Sequence, residues 1–61
     1  MKYLGKYLTT HDLADRWNVK PQTLSAWRMT GKGPTFHKFE GSVRYLLEEI
    51  ESYESIHQKN I

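Results

Sequence analysis

The sequence predicts a small α+β domain in which two short helices joined by a tight turn precede a β-hairpin and a closing helix. Three observations carry that expectation. A helix-start signal at Thr9 to Asp12 leads into an amphipathic run. Pro21 then stands ahead of a second apolar pair, Leu24 and Trp27, one turn apart. Two aromatic and β-branched segments flank Glu40-Gly41, the pattern of a hairpin about a glycine-containing turn.

Thr9 and Asp12 have the spacing of a capping box, in which the hydroxyl accepts from the third helical N–H and the acid reaches back to the cap N–H. Aspartate in place of the usual Glu or Gln leaves the reciprocal bond open. Leu8 and Leu13 occupy the two positions of a hydrophobic staple. Leu13, Ala14 and Trp17 share one face, and Asn18 tolerates the left-handed conformation a helix end requires, so the first helix covers about residues 10–17. Val19 follows as a buried turn residue. Pro21 at the first position of the second helix sacrifices no hydrogen bond and pre-sets φ. Over residues 21–29, Leu24 and Trp27 point inward while Gln22, Ser25, Ala26 and Met29 point broadly the other way. Gly31, Gly33 and Pro34 end it.

The hairpin strands are Thr35–Phe39 and Ser42–Tyr45. Phe36 and Phe39 have opposite parity, which breaks strict alternation and predicts a bulge near the turn. The last helix covers about 46–56, with Leu46, Ile50 and Tyr53 on one face, although Leu46-Leu47 offers no capping side chain. The tail from His57 is expected to fray. There is no repeat, low-complexity run or linker, so residues 1–61 form one domain with its core in about 7–54.

Sixty-one residues without cysteine leave neither disulfides nor a thiolate metal site to stabilise the fold, so a compact core must suffice. Trp17, Trp27, Phe36, Phe39 and Tyr45 supply it, each burying a large area. His11, His37 and His57 lack metal-ligand spacing and are read as surface residues; no metal or cofactor is expected. No stretch approaches the roughly 18–20 apolar residues of a membrane span, and no signal-peptide apolar region opens the chain, so a cytoplasmic location is expected.

Net charge is +2, but it is unevenly spread. Residues 1–45 carry eight Lys/Arg against Asp12, Asp15 and Glu40, or +5; residues 46–61 carry Lys59 against Glu48, Glu49, Glu51 and Glu54, or −3. One end can approach a polyanion that the other repels. Catalysis is disfavoured: no nucleophile has a base nearby, Gly31 and Gly33 precede a strand and so are not a phosphate loop, and Asp12/Asp15 and Glu48/Glu49 lack an enclosing pocket.

Two helices with a tight turn have the form that places its second helix in the DNA major groove. The candidate DNA-binding residues are Lys20, Gln22, Thr23, Ser25, Ala26, Arg28, Lys32, Lys38 and Arg44. Glutamine presents donor and acceptor to adenine, and short Ser or Ala side chains allow close approach to base edges. Lys20, Arg28 and Lys32 lie at the helix margins, where phosphates would pass, and Lys38 and Arg44 in the hairpin are poised for backbone or minor-groove contact. Taken singly, Gln22, Thr23 and Ser25 read as the solvated face of an ordinary amphipathic helix; their combination with a basic hairpin downstream reverses that reading.

The run Leu8-Thr9-Thr10, Leu13-Ala14, Val19, Thr23-Leu24, Trp27, Gly31, Gly33-Pro34, Lys38, Gly41, Val43-Arg44-Tyr45, Ile50 resembles the AlpA/excisionase-type winged helix-turn-helix family, a relative of the MerR-type DNA-binding domain. The likeness spans about residues 7–54. It implies major-groove binding by 21–29 and backbone or minor-groove contact by the 35–45 wing. Asn18, Lys20 and Leu46-Leu47 depart from the family pattern of glycine, a capping serine and a polar cap. Small members act as excisionases, bending DNA beside a site-specific recombinase, or as transcription regulators of phage and integrated-element genes. The expected function is therefore sequence-specific binding of double-stranded DNA, as an excisionase ahead of an AlpA-like regulator, with an integrase partner and cooperative self-association on DNA as further expectations. A protein-interaction module docking through the acidic last helix is the third reading.

Overall fold

A computed structural model describes residues 6–57. The element order is β1 (Tyr7–Leu8), α1 (Thr10–Trp17), α2 (Pro21–Thr30), β2 (His37–Phe39), β3 (Ser42–Leu46) and α3 (Leu47–His57). Among the described residues, three helices accompany one antiparallel sheet of order β1-β3-β2, an α+β architecture. The fraying expected beyond His57 lies outside the described residues.

Local chemistry explains the first two helices. Thr9 Oγ1 accepts from the Asp12 amide and Asp12 Oδ2 accepts from the Thr9 amide, both at 3.0 Å, so aspartate completes the capping box. The Thr9 backbone N–H, and after it the Thr9 hydroxyl, hold the Asp12 carboxyl below its ordinary range. Asn18 closes α1 at φ 56°, with the Val19 amide donating back to the Ala14 carbonyl. Lys20 begins α2 without a side-chain cap, Pro21 fills the first turn, and Gly31 at φ 75° ends the helix one residue later than the apolar pattern suggests.

Tyr45, Leu13, Ala14, Leu24 and Ile50 form the fully buried core, drawn from α1, α2, β3 and α3. Leu8, Trp17, Val19, Trp27 and Val43 pack around it half-buried. The tryptophans therefore rim the core instead of filling it. Trp27 is wedged between Trp17, with ring centroids 6.3 Å apart, and Gly33, where a Cβ would fall 3.0 Å from the indole. Gly33 has φ +84°, so close approach and backbone conformation both demand glycine there.

The hairpin departs from expectation in an informative way. His37 pairs with Arg44, Lys38 with Val43 and Phe39 with Ser42, an unbroken register closed by a two-residue turn. Glu40 and Gly41 both have positive φ, as the tightest hairpin turns require. There is no bulge, because Phe36 precedes the strand and parity does not govern it. Phe36 and Phe39 are 38% and 44% exposed, so neither belongs to the core. Phe39 shares the outer sheet face with His37 and packs edge-on against Tyr7 at 5.4 Å.

β1 has no local signature in the sequence, and it changes how α3 begins. Tyr7 pairs with Leu46 and Leu8 with Tyr45, so Leu46 ends a strand instead of starting a helix. The first amide of α3, Leu47, donates to the Lys6 carbonyl at 2.8 Å, which supplies from the backbone what a capping side chain would have given. His37 is likewise not a free surface residue: its Nε2 lies 2.8 Å from Glu49 on α3.

α3 is fastened to α1 by Glu54. Its carboxylate accepts from Arg16 Nε and Nη2 at 2.7 and 2.9 Å and from the Trp17 indole N–H. Arg16, then Trp17, lower the Glu54 pKa to about 2. Because that value lies below the ordinary one of 4.5, the stability it confers is complete above about pH 4.5 and is lost as pH falls towards 2. The melting temperature should accordingly drop across that interval, and Glu54→Gln should flatten the drop while lowering the melting temperature at neutral pH. A variant whose pH profile runs parallel to that of the wild type would show that the Arg16–Glu54 pair does not couple to folding.

Candidate nucleic-acid interface

The hairpin folds back beside α2 and leaves an open groove of about 430 Å³ between them, lined by Ser25, Arg28, Met29, Phe36, Lys38 and Val43. This lining contains two cations and no acid. A second groove, of about 400 Å³, runs along α3 and is lined by Thr35, Glu48, Glu49, Ser52, Tyr53 and Ile56, two acids and no cation. The charge asymmetry of the sequence is thus expressed as two grooves of opposite character.

On α2 the side chains sort by their roles. Gln22, Ala26 and Met29 are exposed and follow one another at helical spacing, with Met29 87% exposed. An apolar side chain so exposed on a polar face is not serving the core. Thr23 is half-buried. Ser25, expected to face outward freely, is half-buried and its Oγ accepts from Arg28 Nη2 at 3.2 Å. Arg28 turns inward from the helix margin: Nη1 donates to Tyr45 Oη at 2.7 Å and to Thr10 Oγ1 at 3.3 Å, and the guanidinium carbon sits 5.7 Å from the centroid of the Phe36 ring. Phe36 is exposed because it floors this groove.

Lys20 and Lys32 bracket α2, and Lys38 stands across the groove from it; all three are exposed. Among the described residues, none of the three has an acidic partner within ion-pair distance. Arg44 is placed differently. It pairs with His37 on the outer sheet face, opposite to Lys38, donates to its own Val43 carbonyl at 2.8 Å, and contributes to lowering the Asp12 pKa at the start of α1. The structure therefore brings Lys38 together with α2 and sets Arg44 apart from both.

Sequence reasoning missed Tyr45 and Thr10 as the partners that hold Arg28, and Phe36 as part of the groove lining. A signal existed for the first: Arg28 has no acid three or four residues away, and a tyrosine buried in a small core needs a partner for its hydroxyl. Among the described residues, no three His, Asp or Glu side chains converge as a metal site would require, and no helix is long and apolar enough to cross a membrane. Neither a protein-family model, a curated protein nor a solved structure matches this chain.

Proposed function

We propose that this chain is a winged helix-turn-helix that binds double-stranded DNA, with α2 in the major groove and the β2–β3 hairpin as the wing over the adjoining backbone. The observation that carries this reading is the acid-free groove in which Ser25, Arg28 and Met29 of α2 adjoin Lys38 of the hairpin, while Glu48 and Glu49 of α3 line a separate groove. A polyanion is attracted to the first and repelled by the second. Gln22, in the first turn of α2, and Ala26, one turn on, are exposed where a recognition helix meets base edges. Lys20, Lys32 and Lys38, at the two ends of α2 and across the groove, serve as phosphate contacts.

Within this reading the narrower proposal is an excisionase, which rests on the family resemblance of residues 7–54. An excision assay with a co-expressed site-specific recombinase and a promoter-reporter assay separate that role from transcriptional regulation. The DNA-binding proposal is tested more directly by selection from randomised duplex. Gln22→Ala should relax preference at one or two base pairs, costing about 1–3 kcal/mol on the best site, with binding to unrelated DNA nearly unchanged. Identical preferences for both proteins would remove Gln22 from base reading, and a wild type without any preference would refute sequence-specific binding. Lys38→Ala should weaken all duplexes alike and lower the salt slope by about one unit, whereas Arg44→Ala should move it less. Equal slopes for Lys38→Ala and wild type would take Lys38 out of the interface.

A further inference from the structure

Arg28 is held by hydroxyls alone. Tyr45, Thr10 and Ser25 engage three of its five N–H donors, and the ring of Phe36 lies under it. Those partners come from β3, α1 and α2, so the guanidinium is fixed by three elements at once. None of them is charged, and among the described residues no carboxylate lies within ion-pair distance of Arg28. A half-buried, rigidly held cation without a counter-charge is a receptor for an anion. Its remaining donors, Nε–H and one Nη2–H, belong to a side chain that lines the α2–hairpin groove together with Lys38.

We infer that Arg28 and Lys38 clamp one DNA phosphodiester at the junction of α2 and the wing, and that the Tyr45 hydroxyl is the positioning group that aims Arg28 at it. The inference rests on the DNA-binding reading and assigns within it what the sequence alone could not. Ser25 and Tyr45 act through Arg28, and Ser25 does not read bases. Fixing a guanidinium in advance removes much of the entropy cost of making a forked contact to phosphate, which is where a single hydroxyl gains leverage over affinity.

The test measures duplex affinity against salt concentration, on a selected site and an unrelated one, for wild type, Arg28→Ala, Tyr45→Phe, Ser25→Ala and the combinations of the last two with Arg28→Ala. Arg28→Ala should weaken both duplexes alike and lower the salt slope by about one unit. Tyr45→Phe should weaken binding by roughly tenfold, the scale of a hydrogen bond to a charged group, and this loss should vanish in the Arg28→Ala background. Ser25→Ala should behave in the same way with a smaller effect, and it carries the comparison alone if Tyr45→Phe does not fold by circular dichroism. Losses that persist undiminished when Arg28 is already alanine would overturn the positioning role. A change of base preference in Arg28→Ala, with the salt slope kept, would make Arg28 a base reader and overturn the clamp. If wild type binds no duplex, the DNA-binding reading falls and the clamp with it; if wild type binds and Arg28→Ala keeps its slope, only the clamp falls.

Discussion

Tyr45 is almost entirely enclosed, at 1% exposure, yet its hydroxyl reaches the one cation of α2. A phenol inside a small core is stable only when its oxygen is satisfied, and here Arg28 satisfies it at 2.7 Å. That requirement ties α2 to the central strand. It also draws in Thr10 and Ser25, and brings Phe36 beneath the guanidinium. The orientation of α2, which decides that Gln22, Ala26 and Met29 face outward, follows from Leu24 packed in the core on one turn and Arg28 anchored on the next.

The charges divide along the same geometry. α3 carries Glu48, Glu49, Glu51 and Glu54, and two of them are occupied within the fold: Glu54 by Arg16 and Trp17, Glu49 by His37. These contacts fasten α3 to α1 and to the hairpin without involving the lysines around α2. Exposed ion pairs of this kind add little stability individually. Their larger consequence is to leave Lys20, Lys32 and Lys38 free among the described residues, on and around the face that the proposed reading gives to DNA.

What the sequence could reveal depended on whether the deciding interaction was local. The capping box at Thr9, the left-handed Asn18, Pro21 and the Glu40-Gly41 turn act within a few residues, and those elements appear where the sequence puts them. β1 is two residues long and exists only because Tyr7 and Leu8 meet Leu46 and Tyr45, so no local pattern announces it. The start of α3 was obscure for the same reason, since its cap is the Lys6 carbonyl. Phe36 and Phe39 look like core residues by composition, but Leu13, Ala14, Leu24, Tyr45 and Ile50 form the hydrophobic centre, and these rings lie at the groove and the outer sheet face. In the candidate interface, exposure of Gln22, Ala26 and the lysines was legible from helical spacing. The inward turn of Arg28 and the separation of Lys38 from Arg44 required the fold.

The account stands or falls on which face of the molecule meets the duplex. Titrating the isotopically labelled protein with a short DNA duplex, and following each backbone amide by NMR, tests this most directly. The account predicts that the largest shifts fall on α2 from Lys20 to Gly31 and on β2 around Lys38, while the amides of α3 near Glu48 to Ser52 stay in place. Shifts concentrated on α3, or none at all at saturating duplex, would contradict it.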